Sequence, residues 1–510
     1  MSAPLAVAPP APVAIRFGPA PVPAGTATRV GRNAAFRLAS QVLSAVLNVA
    51  GMVILGNHLS AAGYGEYVFY YAFLPLFASA ADLGAGLIVT REIARNPEDG
   101  ARRMGDGLIL KGVLAVALLA VTGVLAWSVM APAHALLLLI VAAGALLDFS
   151  QDAAVWVFRA HERLEFEAVL LLVSQVAWLA GIGLGVWLGA SLPFLLATAL
   201  AAFVLRTIAG LWLVSRTLYR PRFAPRLLRL RGLVRDSWPL GLSMLLVVLY
   251  GRTGVLALKA WASTADVACF NVAYLLSQPL GFISSALSMA AFPAFVRFAH
   301  ENPRLLQSAL QRALKVQMLT TLPLTIGLWL LADRIVPLLF HGADFEAAAA
   351  SLRIVALGLP FIFLNLQSRY VLAALDRQRT YLWAVVAGLA VNVACCAVSV
   401  PSLGAAGAAW SFVAAEAVIF VLCLVAASTC LSVRDLLRAS ARPALAAALM
   451  GVSVLATRSL GLPLVGAVTY VVALVVTRAI SHDELLFLRG VCASLHLSGT
   501  RTLARTTERT

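Results

Sequence analysis

The residues most able to carry chemistry in this sequence are charged side chains placed inside long apolar runs. In chain order they are Asp82, Asp148, Asp152, Arg252, Lys259, Arg369 and Glu416. A charge near the centre of a bilayer costs about 2.5–3.5 kcal/mol on insertion scales, so each of these side chains needs a charged partner or an aqueous cavity. Asp148 and Asp152 are four residues apart and therefore share one face of a helix. All seven are candidates for the wall of a substrate cavity.

Two interpretations of these charges remain open. The first is an ion pair between helices, or a position at the membrane surface for a side chain near the end of a span. We favour it for Asp152, Lys259 and Arg369. The deeper side chains favour a cavity, and these are Asp82, Arg252 and Glu416. An arginine in a cavity wall suits an anionic substrate, because its guanidinium binds phosphate through two hydrogen bonds. Embedded carboxylates suit proton or sodium coupling, since desolvation favours their neutral form.

The elements that carry these charges are predicted to be membrane spans. The chain is 61% hydrophobic with a mean hydropathy of +0.90, and only 12% of its residues are charged, against about 25% in a soluble domain. Apolar stretches recur along its whole length, and each is long enough to cross a hydrocarbon core of about 30 Å. The sequence therefore predicts an all-α integral membrane protein with many spans.

Fourteen spans are predicted from these apolar stretches. They cover residues 34–56, 66–90, 107–129, 134–158, 168–189, 192–215, 238–259, 266–296, 313–332, 349–374, 380–400, 404–430, 441–457 and 462–480. Arginines recur in the loops after the even-numbered spans, whereas the loops near residues 132, 191 and 402 contain almost none. Because positively charged loops stay on the cytoplasmic side, both termini are expected in the cytoplasm.

The chain also repeats itself at an offset of 203 to 216 residues. The matched sets are Tyr67, Tyr71 and Pro75 with Phe270, Tyr274 and Pro279; Asn96–Pro97 with Asn302–Pro303; Leu110–Lys111 with Leu314–Lys315; and Gln151, Val155 and Arg163 with Gln367, Val371 and Arg379. Each Asn–Pro pair is expected to open the next helix with a capping residue and a proline. Six spans per repeat predict two parallel lobes, related by an axis along the membrane normal, around a central substrate cavity. Spans 13 and 14 lie outside the repeat.

The predicted domain organisation follows from these spans. It consists of a disordered cytoplasmic tail over 1–33, an N-lobe over 34–215, a basic linker over 216–237, a C-lobe over 238–430, spans 13 and 14 over 431–480, and a cytoplasmic tail over 481–510. Seven arginines alternate with leucine and valine around the linker. This pattern fits an amphipathic helix on the cytoplasmic leaflet, and it fits equally well a basic linker that only sets topology.

Several function classes are excluded by what the sequence lacks. The net charge of +16 is placed in short loops, where it sets topology and meets anionic lipids. No basic patch is interleaved with aromatic residues, so no nucleic-acid partner is expected. No Walker A motif is present, so ATP is not the energy source within this chain. No catalytic constellation or metal-type cysteine spacing appears, so we expect no enzymatic activity and no cofactor.

Three stretches resemble bacterial polysaccharide flippases. "LGNHLSAAGYGEYVFYYAFLPLFASAADLGAGLIVTREIAR" is similar to the start of that family, in which an "S…YG.Y" turn precedes a span ending in a "D.G….REIAR"-like segment. "LALKAWASTADVACFNVAYLLSQPLGFISSALSMAAFPAF" resembles its seventh and eighth spans. "RYVLAALDRQRTYLWAVVAGLAVNVACCAVSVPSLGAAGAAWSFVAAE" resembles its tenth to twelfth. The resemblance covers about residues 30–430. Many relatives carry an aspartate two residues after the arginine of span 7, whereas this chain has Gly254 there. The role of that aspartate in the relatives is therefore not carried over to this chain.

The resemblance implies a flippase of the multidrug/oligosaccharidyl-lipid/polysaccharide superfamily. Such proteins move undecaprenyl-diphosphate-linked oligosaccharides across the bacterial inner membrane by alternating access, for O-antigen, capsule or exopolysaccharide synthesis. The implied partners are the lipid-linked oligosaccharide, membrane lipids, a proton or sodium ion, and polysaccharide polymerase or export proteins. On this interpretation Asp82 is a cavity carboxylate near the cytoplasmic mouth, beside Arg91 and Arg95.

Two alternatives remain from the sequence. An ion-coupled multidrug antiporter would share the fold, but it would favour an anionic cavity, in which Arg252 makes no productive contact. A membrane glycosyltransferase or polysaccharide ligase would need a substantial outer loop with catalytic residues, whereas the longest predicted outer loop here has only about 16 residues.

Overall fold

The computed structural model describes residues 26–147, 149–223, 227–428, 430, 432–457 and 463–476. These residues fold into sixteen α-helices with short connections, and no strand occurs among them, which confirms the all-α membrane class. Ten of the helices are long and apolar enough to span a bilayer, or eleven if one bent pair is counted as a span. The predicted number of fourteen spans stays a prediction.

The first eight helices form the N-lobe. They are α1 Thr26–His58, α2 Ala61–Asp82, α3 Ala85–Arg95, α4 Gly100–Val129, α5 Pro132–Leu147, α6 Phe149–Ala160, α7 Leu164–Trp187 and α8 Leu192–Thr217. Helix α1 packs along α7, α7 along α8, and α8 against α5 and α6. These contacts are close because glycines lie at the crossings: a Cβ on Gly51 would come within 2.3 Å of the Trp178 ring.

The next six helices form the C-lobe, and two more follow it. They are α9 Leu227–Trp261, α10 Thr264–Ser277, α11 Gly281–Glu301, α12 Pro303–Leu339, α13 Glu346–Ala374, α14 Gln378–Ala426, α15 Val433–Ala456 and α16 Pro463–Val476. Helix α13 lies at the centre, packed against α10, α11, α12 and α14, while α9 packs along α14. Outside this bundle, α15 packs on α12 and α16 on α15.

Several predicted spans are divided by breaks in the helix. Span 2 becomes α2 and α3, which bend by 49° at Leu83 and Gly84, both in the left-handed backbone region. A Cβ on Gly84 would lie 2.6 Å from the backbone nitrogen of Gly241, so only glycine allows this break to pack against α9. Span 8 also consists of two helices, α10 and α11, and spans 11 and 12 form the single element α14, which breaks at Gly404.

Three local expectations differ from the structure. The predicted boundary between linker and span 7 falls inside α9, a single helix of 35 residues that continues past Pro239, so this part of the linker is not a separate helix on the leaflet. Helix α1 already begins at Thr26, inside the predicted tail. Asn302 caps α12 as expected, but Asn96 makes no such hydrogen bond, because a 3-10 turn over Pro97–Asp99 precedes α4. The tail over 481–510 lies outside the described residues.

Candidate functional site

A cavity of about 520 Å³ lies between the two lobes. Helices α1, α2 and α7 form its N-lobe wall, and α9, α10 and the start of α11 form its C-lobe wall. Its lining residues are Gln41, Ser44, Ala45, Asn48, Val49, Met52, Val68, Tyr71, Leu171, Gln175, Arg252, Asn271, Tyr274, Leu275, Gln278, Pro279 and Phe282. The volume lies within the range of about 300–1,000 Å³ that is typical of small-molecule sites.

Arg252 carries the only charge among the described residues that line this cavity. It lies nine residues before Trp261, the end of α9, so at a rise of 1.5 Å per residue it is about 14 Å from that end and close to mid-membrane. None of the ion pairs between described residues includes Arg252. The guanidinium therefore supplies a cation without a carboxylate in the cavity wall, an arrangement suited to an anionic ligand.

The rest of the polar lining consists of amides and hydroxyls. Gln41, Ser44 and Asn48 are spaced by three and four residues, which places them on one face of α1. Gln175, Asn271 and Gln278 add amides from α7, α10 and the turn that follows α10. Amides and hydroxyls both donate and accept hydrogen bonds, as sugar hydroxyls do, so this lining can bind a carbohydrate beside the cation.

At the end of the cavity where α1 ends and α2 begins, the lobes are joined by neutral contacts. Asn271 donates a hydrogen bond to the Tyr64 hydroxyl over 3.0 Å, and the Asn57 amide donates to the Leu339 carbonyl over 2.8 Å while accepting from the His341 backbone over 2.7 Å. Beside them, α2 and α10 approach so closely at Gly65 that a Cβ there would clash with backbone atoms of α10. The cavity is therefore closed at this end by backbone contact and hydrogen bonds.

At the opposite end, where α9 begins, the lobes are joined by an ion pair and by the break in span 2. The Nε atom of Arg229 on α9 lies 3.2 Å from Oδ2 of Asp106 on α4, and Asp106 is buried. The α2–α3 break packs against α9 at Gly241. Opening at this end therefore requires the separation of a partly buried ion pair.

Asp82 lies at the end of α2, and it is not among the residues that line the cavity. Its Oδ1 atom lies 3.8 Å from Nζ of Lys111 on α4, and the Lys111 side chain is 1% exposed. The ammonium also lies 5.8 Å from the centre of the Trp156 ring, a cation–π distance. The structure thus places Asp82 in an ion pair between helices rather than at the mouth of the cavity.

Glu416 is buried inside the C-lobe. Its carboxylate accepts hydrogen bonds from the Tyr250 hydroxyl over 2.8 Å and from the Asn365 amide over 2.7 Å. The centre of the Phe412 ring lies 6.2 Å from that of Tyr250 and 5.8 Å from that of the cavity residue Tyr274. Glu416 is not among the residues that line the cavity.

The remaining predicted site residues do not join the cavity. Lys259 donates a hydrogen bond to the Thr264 hydroxyl over 3.1 Å and lies over the Phe69 ring. Arg369 is exposed and lies over the Tyr370 ring. Asp148 and the side chain of Asp152 lie outside the described residues.

Sequence reasoning missed three groups of residues. The polar face of α1 was detectable from the spacing of Gln41, Ser44 and Asn48 inside an apolar run. Lys111 was noticed only as part of the repeat, although it lies in the first turns of predicted span 3 and is the partner of Asp82. The Asp106–Arg229 pair had no local signal, because its members are 123 residues apart.

Comparisons with known proteins agree with this arrangement. A family model described as "Polysaccharide biosynthesis protein" matches residues 30–299, which is more than half of the chain. A second model, MatE, matches residues 239–398. No curated protein sequence matches the chain.

Solved transporter structures share the fold. A lipid II flippase, MurJ, in an inward closed conformation has 15% identity over 88% of this chain and 98% of its own, with a TM-score of 0.72. An inward-facing multidrug resistance MATE transporter has 17% identity over 81% and 98%, with a TM-score of 0.59. A transporter of the same superfamily from Pyrococcus furiosus, described as having a binding pocket of reverse polarity, has 17% identity over 82% and 95%, with a TM-score of 0.55.

The family match and the shared fold support the resemblance that the three sequence stretches carry. The chain is a multi-pass membrane protein with the fold of these transporters. It belongs to the family whose model is described as "Polysaccharide biosynthesis protein".

Proposed function

We propose that the protein moves an undecaprenyl-diphosphate-linked oligosaccharide from the cytoplasmic to the outer leaflet of the bacterial inner membrane. One observation carries this proposal: the cavity between the lobes is lined by amides and hydroxyls around a single cation, Arg252, with no carboxylate among its described lining residues. A diphosphate matches the guanidinium, and sugar hydroxyls match the amides. The similar lipid II flippase also handles a lipid-linked substrate.

The substrate headgroup would enter from the cytoplasmic leaflet once the Asp106–Arg229 contact separates. It would then lie in the cavity, with its diphosphate on Arg252 and its lipid chain in the bilayer. Closure at the cytoplasmic ends and separation of the Asn57 and Tyr64 contacts would release it outward. An inside-negative potential drives the outward movement of an anion by about 2.3 kcal/mol per charge per 100 mV, so no nucleotide is required.

Glu416 is the carboxylate best placed to couple transport to a proton or sodium ion. It is buried outside the cavity lining, it accepts two hydrogen bonds, and it belongs to the lobe that must move. Asp82 is less suited to this role, since its charge is already balanced by Lys111. Polysaccharide polymerase or export proteins on the outer side would receive the product.

We also propose that both termini lie in the cytoplasm, as the arginine-rich loops predict. Cysteines placed at Ser191 and Ser402 should react with an impermeant reagent added outside, and one placed at Thr217 should not. Reaction of the Thr217 site with the reagent from outside would show that the chain has the opposite orientation.

An ion-coupled multidrug antiporter is the second candidate, favoured by the MatE match over residues 239–398 and by the MATE structures. The charge of the cavity argues against a multidrug antiporter. A cationic drug would be repelled by Arg252, and no carboxylate among the described lining residues would attract it. A carboxylate wall is what cation binding needs.

Reconstituted protein can separate the candidate functions. Proteoliposomes containing the purified chain should translocate polyprenyl-diphosphate oligosaccharide without ATP, and faster under a potential that favours outward movement of an anion. Transport of organic cations alone would establish the antiporter instead. Formation of new glycosidic bonds, with no gradient present, would establish an enzyme.

A further inference from the structure

Two tyrosines in the central cavity occupy matching positions of the internal repeat. Tyr71 on α2 and Tyr274 on α10 are 203 residues apart in the sequence. Both belong to the residues that line the cavity between the lobes. Each lobe therefore supplies one aromatic side chain to the same cavity, and the phosphate and hydroxyl contacts of the proposed function use neither ring.

The two rings lie at the depth of the cavity cation. Tyr71 and Tyr274 are each ten residues after the first residue of their helix, α2 or α10, which is about 15 Å along the axis. These helices begin at the same end of the cavity, where they make backbone contact. Arg252 is about 14 Å from the end of α9 that leads into α10. A Cβ on Gly251 would lie 3.3 Å from the Tyr274 hydroxyl, so this hydroxyl lies beside the helix turn that carries Arg252.

Neighbouring aromatic rings hold both tyrosines in place. The Tyr71 ring stacks on Tyr67, with ring centres 5.7 Å apart and 16° between the planes, and its centre lies 6.4 Å from that of Trp178. The centre of the Tyr274 ring lies 6.1 Å from that of Phe270. Tyr67 and Phe270 are also 203 residues apart, so the same aromatic pair occurs in each lobe. Side chains that are already ordered lose little freedom when a ligand binds.

We propose, on the basis of the proposed function, that Tyr71 and Tyr274 bind the apolar face of the sugar next to the diphosphate. A hexopyranose with its axial hydrogens on one face presents C–H groups there and hydroxyls at its rim. The face of an aromatic ring is negative and attracts such C–H groups, while the contact also removes apolar surface from water. With the diphosphate on Arg252, the first sugar is at the depth of the two rings. The amides of the lining then bind its hydroxyls.

The binding of two lipids to the purified full chain in detergent tests this role. One probe is a polyprenyl-diphosphate oligosaccharide, and the other is polyprenyl diphosphate without sugars. The variant Y71L/Y274L should bind the first lipid about tenfold more weakly than the parent, because two aromatic contacts are lost. Its affinity for the sugar-free lipid should stay within about twofold of the parent. Y71F/Y274F keeps both rings and should stay within about threefold for both lipids.

Two control variants separate the sugar contact from other effects. Tyr370→Leu removes a tyrosine of the C-lobe that does not line the cavity, so it should bind both lipids like the parent. Arg252→Ala should weaken the binding of both lipids, because both carry the diphosphate. The sugar contact is thus measured by the difference between the two lipids in Y71L/Y274L.

Three results would overturn the proposal while leaving the proposed function intact. In Y71L/Y274L, equal weakening of both lipids would assign the tyrosines to the shape of the cavity, and unchanged affinities would show that the sugar does not contact the rings. An equal loss in Y71F/Y274F would assign the contact to the hydroxyls. A parent that binds neither lipid would overturn the proposed function, and this proposal with it. If Y71L/Y274L does not fold, Tyr274→Leu carries the test, with an expected loss of about threefold for the oligosaccharide lipid alone.

Discussion

The central cavity and the lobe interiors both contain charged side chains, but the partners of those side chains differ. Inside the lobes, Lys111 lies against Asp82, and Glu416 accepts hydrogen bonds from two side chains. In the cavity, Arg252 has no carboxylate partner among the described residues. A charge that the protein neutralises itself supports the fold, whereas a charge that faces an open cavity is available to a ligand.

The largest loss of stability is expected from Lys111→Met. This change leaves Asp82 without its partner, and breaking a buried pair typically costs about 3–5 kcal/mol. The double variant D82N/K111M should recover much of that loss, because neither helix then carries a lone charge. Equilibrium unfolding in detergent measures both values. If K111M alone is as stable as the parent, the pair does not support the fold.

Glu416→Ala should have the next largest effect on stability. It leaves the Tyr250 hydroxyl without its acceptor, while the Asn365 amide keeps only its bond to the backbone carbonyl of residue 416. A buried group left unsatisfied costs about 1–3 kcal/mol. Glu416→Gln keeps the shape and an acceptor, so it should destabilise less while removing any proton or sodium dependence of transport. Ion dependence that is unchanged in E416Q would remove Glu416 from the coupling mechanism.

A smaller loss is expected from Arg229→Gln at the Asp106 contact between the lobes. Glutamine can still donate a hydrogen bond to Asp106, so the free energy of unfolding should fall by only about 1–2 kcal/mol. The conformational effect should be clearer, since this contact holds α9 against α4. A distance probe across these helices should report more of the inward-open state, and an unchanged distribution would contradict a role in gating.

Arg369→Ala should change stability least. The side chain is exposed and lies over the ring of its neighbour Tyr370, and substitutions of exposed side chains usually stay within about 0.5 kcal/mol. This variant therefore serves as the matched control for Arg252: it removes the same charge from the C-lobe, away from the cavity.

The sequence predicted the fold class well, because apolar runs long enough to span a bilayer recur along the whole chain and arginine-rich loops separate many of them. It predicted Arg252 and Glu416 as deep cavity residues; the structure lines the cavity with Arg252 and places Glu416 among buried residues outside that lining. It could not pair Asp82 with Lys111, since residues 29 positions apart meet only through the packing of α2 and α4. It also missed the polar face of α1, because attention fell on charges rather than on the amides that line the cavity. The break at Gly84 depends on the approach of Gly241, which no local pattern encodes.

The transport rate of Arg252 variants tests the central claim most directly. In proteoliposomes carrying polyprenyl-diphosphate oligosaccharide, Arg252→Ala should abolish translocation while folded protein stays at the parent level. Arg252→Lys should recover part of the rate, because an ammonium keeps the charge without the paired hydrogen bonds of the guanidinium. Arg369→Ala should transport like the parent. Full transport by Arg252→Ala would show that the cavity cation does not bind the diphosphate, and an equal loss of folded protein would assign Arg252 to the fold instead.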